Sequence, residues 1–141
     1  MTFPEVSVNY WAVLACVVFN MVLGSLWYGP LFGKAWKKAM GLDPNMKPTP
    51  EQNKMAMKSM SGMVLTSFVT AWVLAYLVDY TVTTNWMEGA QTGLWIWAGF
   101  QATLMIEEVL FEKKKKELFL INGMFHLVSM LAMGAILASW I

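Results

Sequence analysis

The chain has 141 residues, of which 57% are hydrophobic and only 13% are charged, and its net charge is +1. The charged share is about half of the roughly 25% that is usual in soluble domains. The near-neutral balance argues against nucleic-acid binding, which requires a basic face. Because Cys16 is the only cysteine, a disulfide or a cysteine-rich metal site within one chain is excluded.

Four apolar segments, residues 8–28, 62–82, 89–109 and 118–140, each approach the ~20 residues that a helix needs to cross the hydrocarbon core of a bilayer. We call the helices that contain them the first, second, third and fourth spans. Together they occupy most of the chain and leave no room for a soluble domain. The sequence therefore predicts an all-α membrane protein with a single domain over residues 1–141. The N-terminal segment lacks the positive region of a signal peptide, so we expect the first span to be retained.

The first span is predicted over residues 9–28 and is followed by a corner. Trp27 and Tyr28 have amphipathic rings that favour the headgroup level of a membrane. Gly29 frees the backbone, and Pro30 suits the first position of a new helix better than the interior of an old one. We call residues 27–30 the WYGP corner.

A short amphipathic helix is predicted over residues 30–40. Its apolar face includes Trp36, and its opposite face carries Lys34, Lys37 and Lys38. A basic helix of this kind lies in the plane of the interface, where its lysines meet lipid headgroups. We therefore expect one in-plane helix on the cytoplasmic side.

The remaining spans are predicted over residues 50–81, 86–112 and 117–141. Thr49 with Gln52, and Asn85 with Glu88, are capping signatures at the starts of the second and third spans. A helix over residues 50–81 is ~48 Å long at 1.5 Å per residue, which exceeds the ~30 Å hydrocarbon core. Its first three turns, residues 50–61, should therefore project from the membrane.

The lysines indicate the orientation of the chain. All ten basic residues are lysines, and all lie either in residues 34–58 or in the run 113–116, whereas the opposite side carries Glu5, Asp79 and Glu88. The positive-inside rule places both lysine-rich segments in the cytoplasm and both termini outside. We expect the chain in an inner (cytoplasmic) membrane.

Two blocks of sequence resemble a known family. The first is LWYGPLFGKAW at residues 26–36, which follows Asn9-Tyr10. The second comprises LFE at residues 110–112, FLING at 119–123 and HLV at 126–128. These motifs resemble the small bacterial membrane proteins grouped as domain of unknown function 1761, and the resemblance covers nearly the whole chain. It implies a four-helix membrane protein and no particular reaction.

Each span carries one hydrogen-bonding side chain ~12–16 Å from the lysine-rich end of its helix, near the bilayer midplane. A second level lies about two turns closer to that end. Residues seven apart on the third span and four apart on the fourth share a face, so the two levels would form one polar seam. Its members are Asn20, Thr66, Thr70, Gln101, Glu108, Asn122 and His126.

The seam has two interpretations. An intramembrane ionisable group is costly and points to a functional site with a partner, and we pair His126 with Glu108, directly or through Asn122. Interhelical hydrogen bonds from Asn, Gln, Thr and His also hold helices together without any further role.

The functional hypotheses follow from those interpretations. One is the passage of an ion or small solute through the seam. The alternative is a non-catalytic accessory or scaffold protein that binds partner helices or lipids. An enzyme ranks last, because no nucleophile, metal-ligand set or cofactor motif accompanies His126. We expect no cofactor, and we expect a homo-oligomer because small membrane proteins with little buried surface commonly form symmetric assemblies.

Overall fold

The computed structural model describes residues 5–140, and within that range it contains helices and no strands. The α-helices are α1 (Tyr10–Leu26), α2 (Gly33–Ala39), α3 (Pro50–Tyr80), α4 (Trp86–Ile96), α5 (Thr103–Phe111) and α6 (Lys116–Ser139). A first π turn (Trp27–Leu31) extends α1, and a second π turn (Trp97–Ala102) joins α4 to α5.

Four continuous helices are long and apolar enough to cross a membrane, which confirms the predicted fold class. They are Tyr10–Leu31, Pro50–Tyr80, Trp86–Phe111 and Lys116–Ser139. The third span thus consists of α4, the second π turn and α5. The predicted end of the fourth span at residue 141 lies outside the described residues.

The helix starts follow from local capping. The Asn9 side chain accepts hydrogen bonds from the amides of the first turn of α1. Thr49 and Gln52 form the predicted capping box, with Pro50 at the first helical position of α3. The Asn85 side chain caps α4, while the Glu88 carboxylate accepts hydrogen bonds from Thr84. Each cap satisfies amides that have no partner inside the helix.

The WYGP corner differs from its predicted geometry. Pro30 does not start a new helix but lies inside the first π turn, and the chain changes direction at Phe32 before α2 begins at Gly33. The Phe32 amide donates to the Trp27 carbonyl at 2.8 Å, five residues back. A regular α-turn would press the Pro30 ring against the carbonyl of Leu26, and the wider turn relieves that contact.

The start of α3 extends away from the other helices. Residues 50–61 are all exposed, and the projection of these three turns from the membrane stays a prediction. At 31 residues, α3 is ~47 Å long. The segment adds a basic helical extension at the lysine-rich end of the molecule.

The core lies between α1, α3 and α6, in the half of the bundle farther from the lysines. It is built from small and medium side chains: Ala12, Val13, Cys16, Ala71, Leu74, Ala75, Val78, Met130, Met133, Leu137 and Ala138. Ser67, Ala71 and Ala75 recur at four-residue spacing on α3 and are buried. Such small residues let helices approach closely.

The third span packs on the outside of this three-helix core. Only 6% of its most apolar stretch is buried, and its main neighbour is α6. Gly89 faces Gly134, and Gly93 faces the Met130 carbonyl, so closely that a Cβ atom at any of these glycines would overlap the opposite backbone. The third span is therefore held to α6 by direct backbone contact, as small-residue helix pairs are.

Candidate functional site

A closed polar cluster lies at the lysine-side edge of the three-helix core, near the middle of the bundle. The Asn20 side-chain amide donates to Ser67 Oγ at 2.5 Å, and Ser129 Oγ donates to Asn20 Oδ1 at 2.6 Å. All three residues are buried. We call them the Asn20 triad. The triad links α1, α3 and α6 through the Asn20 side-chain amide. Burial of that amide without hydrogen-bond partners would be costly.

Two further predicted seam residues, Thr66 and Thr70, do not join this triad. Thr66 lies beside Ser67 in sequence but on the exposed face of α3, where its hydroxyl donates to the Met63 carbonyl at 3.1 Å. Thr70 is half-buried. The residue of α3 that meets Asn20 is Ser67, which is not among the predicted seam residues.

Asn122 pairs with the WYGP corner. The Tyr28 hydroxyl donates to Asn122 Oδ1 at 2.7 Å, and the Tyr28 ring lies edge-on to Phe125 and to Trp36. The corner is thus fastened to α6 by a polar contact and by aromatic packing. This gives Tyr28 and Trp36 a tertiary role in addition to the interfacial one predicted for them.

Two tryptophans at the starts of the two π turns bind neighbouring positions on α6. Trp27 Nε1 donates to the Ile121 carbonyl at 3.0 Å, and Trp97 Nε1 donates to the Gly123 carbonyl at 3.1 Å. The first and third spans are therefore attached to α6 at almost the same level by the same kind of bond. Trp97 was not predicted as a site residue, because a tryptophan in an apolar span gives no indication of its partner.

Glu108 forms an ion pair with a lysine of the loop between the third and fourth spans. Lys114 Nζ lies 2.9 Å from Glu108 Oε2 and 3.4 Å from Glu112 Oε2, with both sides of the shorter pair about half exposed. The hydrogen bond from Lys114 to the Glu108 carboxylate raises the pKa of the Lys114 ammonium group. Glu108, Lys114 and Asn122 border a cavity of about 220 Å³ against Met40 of the α2 end.

Gln101 lies in the second π turn. Its Oε1 atom is buried and accepts no hydrogen bond from the residues that the structure describes. A π turn interrupts the regular ladder of backbone bonds and often marks a functional position in a helix. Gln101 thus combines an irregular backbone with an unused buried acceptor.

His126 is exposed, although its helix neighbours are not. Ser129 and Met130, one turn further along α6, are buried against the first and third spans respectively. His126 lies on the helix face between those two contacts and opens to the outside of the bundle. The third span contacts α3 mainly through α4, near the turn that joins them. From these contacts we infer that His126 faces a groove between the second and third spans, which we call the His126 groove.

The predicted seam residues are consequently distributed over separate places. Asn20 lies in the triad, Asn122 with Tyr28, Glu108 with Lys114, and His126 in the groove. Glu108 and Asn122 border one cavity, but the structure does not bring His126 to Glu108. Within residues 5–140, no cluster of three or more His, Cys, Asp or Glu side chains has metal-binding geometry.

Comparison with known protein families shows the family to which the chain is related. The family model described as "Protein of unknown function (DUF1761)" matches residues 11–138. The chain belongs to this family. No curated protein and no solved structure matches it. This DUF1761 protein is a bundle of four helices that are long and apolar enough to cross a membrane.

Proposed function

We propose that this DUF1761 protein is a non-catalytic accessory or scaffold protein of the membrane, and that its His126 groove receives a transmembrane helix. The observation that carries the proposal is the exposure of His126 on a helix face that is otherwise buried. An imidazole that faces lipid is costly. A partner helix that covers the groove and offers a hydrogen bond would remove that cost.

The second and third spans, which flank His126, carry exposed positions that suit close approach by another helix. A Cβ atom at Gly62 of the second span or at Gly99 of the third span would meet nothing within 4 Å. One turn further along each helix, Thr66 and Thr103 are exposed, and their hydroxyls bond only to their own helix. Small residues and hydroxyl groups are the features that transmembrane helix interfaces use.

We propose a second copy of the chain as the occupant, which makes the protein a homo-oligomer. The outward faces of a second copy supply the hydroxyl groups that His126 lacks. Symmetric dimers are also the commonest assemblies of one chain. In such an assembly, lipid would contact only the helix surfaces that lie outside the interface between the two copies.

Passage of an ion or small solute is the rival hypothesis. Support for the accessory role over passage comes from the Asn20 triad, whose side chains bond to one another in the middle of the bundle. The proposal also includes the orientation inferred from the lysines. The lysine-rich end faces the cytoplasm of a bacterial inner membrane, and both termini lie outside.

The test places a photo-crosslinking amino acid at position 126 in the full chain in native membranes. The matched control places it at Val18, which is 55% exposed on the first span. An adduct of twice the chain mass from position 126, and none from Val18, supports the proposal. The absence of a protein adduct at position 126, or a stoichiometric adduct with a different protein only, contradicts the homo-oligomer.

A flux measurement distinguishes the accessory role from the passage of an ion or small solute. Purified wild-type chain and the His126→Ala and Glu108→Gln variants are placed in liposomes. We expect the same solute and proton leak from all three. Flux through the wild type that either variant abolishes would replace the accessory role with passage.

A further inference from the structure

A second surface, at the lysine-rich end, has the chemistry of a lipid site. A groove of about 770 Å³ lies between α2 and the start of α6. Its α2 side is formed by Ala35, Lys38 and Ala39, and its α6 side by Lys115, Glu117, Leu120 and Ile121. We call it the Lys38 groove. His126 is not among its lining residues, so we treat it separately from the His126 groove.

Two lysines from distant parts of the sequence meet at this groove. Lys38 lies in the last turn of α2, and Lys115 is the N-cap residue of α6. Neither lysine forms an ion pair among the described residues, whereas Lys114 is paired with Glu108 and Glu112. The charges of Lys38 and Lys115 are therefore available to a ligand.

The net charge of the Lys38 groove favours a ligand with a single negative charge. Two ammonium groups and the single carboxylate of Glu117 leave a net charge of +1 within the groove. A phosphodiester lipid headgroup such as that of phosphatidylglycerol carries one negative charge and complements this balance. A phosphate monoester, with a charge of about −1.5 to −2, would be less well neutralised.

The rest of the lining is apolar. Leu120 is 60% exposed, and with Ala35 and Ile121 it provides a hydrocarbon surface directly beside the lysines. A free anion would make no use of that surface, whereas the first part of an acyl chain would cover it. Basic pockets between helices at the membrane surface bind the headgroups of anionic lipids in this way.

We propose that the Lys38 groove binds one anionic phosphodiester phospholipid, with Lys38 and Lys115 on its phosphate and an acyl chain along Leu120 and Ile121. The lipid would bridge α2 and α6 and hold the in-plane helix against the bundle. The sequence predicts headgroup binding by Lys34, Lys37 and Lys38 as one basic face. The structure selects Lys38 and adds Lys115.

The test is native mass spectrometry of the full chain in detergent, titrated with phosphatidylglycerol or with phosphatidylcholine of the same acyl chains. We expect one phosphatidylglycerol to bind in preference to phosphatidylcholine. Each lysine should contribute about fivefold to the affinity for phosphatidylglycerol, so the K38A/K115A double variant should bind this lipid roughly 25-fold more weakly. K38R/K115R should retain most of it.

The matched control is K34A/K113A, which removes one charge from α2 and one from the same loop but none from the groove. It should change the affinity less than threefold. An equal loss in both double variants, equal binding of the two lipids, or displacement of the lipid by millimolar inorganic phosphate would each overturn the proposal. Helical circular dichroism verifies that every variant is folded. Because His126→Ala leaves the Lys38 groove intact, it should not change lipid binding, so this test is independent of the proposed function.

Discussion

Ser129 of the fourth span donates a 2.6 Å hydrogen bond to Asn20 of the first span, and the same amide side chain donates to Ser67 of the second. One side chain thus uses both its donor and its acceptor to join three helices. Both partners of Asn20 are serines, which are small enough to be buried at a helix contact without separating the backbones.

The triad should contribute measurably to stability. Ser129→Ala leaves Asn20 Oδ1 buried without its donor, and we expect a loss of about 1–2 kcal/mol in the free energy of unfolding. Thr66→Ala, at an exposed position beside Ser67, should change it by less than about 0.5 kcal/mol. Unfolding in mixed detergent micelles measures both. Equal stability of the two variants would show that the triad is not a structural element.

The glycine contact between the third and fourth spans should not tolerate a side chain. In Gly89→Ala or Gly134→Ala the new methyl group overlaps the opposite backbone, and overpacking of this kind costs about 1–3 kcal/mol. In the monomeric protein, Gly62→Ala and Gly99→Ala add a methyl group that meets nothing of its own chain within 4 Å, so they should stabilise their helices by up to about 1 kcal/mol. Thermal unfolding in detergent distinguishes the two pairs, and a uniform response of all four would contradict the packing.

The two indole bonds to α6 predict slow hydrogen exchange. The Nε1 protons of Trp27 and Trp97 are held by backbone carbonyls, whereas Trp95 is 67% exposed. In ¹⁵N-labelled protein in micelles, the first two indole signals should exchange with solvent more slowly than that of Trp95. Trp27→Phe and Trp97→Phe should each cost about 0.5–1.5 kcal/mol. Rapid exchange at Trp97 would indicate that the third span is not attached at this level.

The Lys114 ion pair predicts a shifted titration. The hydrogen bond to the Glu108 carboxylate raises the pKa of Lys114 above its ordinary value of 10.5. The pair therefore stabilises the loop fully below that ordinary value and loses its effect as the pH rises through the raised pKa. Carbon-13 methylation of the lysines allows each pKa to be read by NMR. Glu108→Gln should lower the Lys114 value, and an unchanged value would exclude the pair in solution.

The orientation proposed from the lysines is open to a direct test. A reporter active only in the cytosol, fused after residue 141, should be inactive, and the same reporter inserted at Lys47 should be active. Reversal of the lysine bias, by moving the run 113–116 to the turn near Thr83, should weaken or reverse this result. Cytosolic activity of the C-terminal fusion would overturn the orientation.

The sequence by itself determined the four spans and the caps of the second and third spans. These depend on hydrophobic runs of sufficient length and on local signals such as Thr49 and Asn85, which act within one turn of the helix. Backbone groups in a bilayer have to be satisfied inside each helix, so the local pattern was sufficient to define the fold class.

Only the tertiary structure decided which side chains meet. The rotation of each helix about its axis selected Ser67 over Thr66 as the partner of Asn20, and turned His126 out of the bundle and away from Glu108. It also brought Lys115 to Lys38 across a long stretch of sequence. These rotations are set by contacts between helices, among them the glycine contact of the third span with α6. The spacing of residues along one helix carries no information about such contacts.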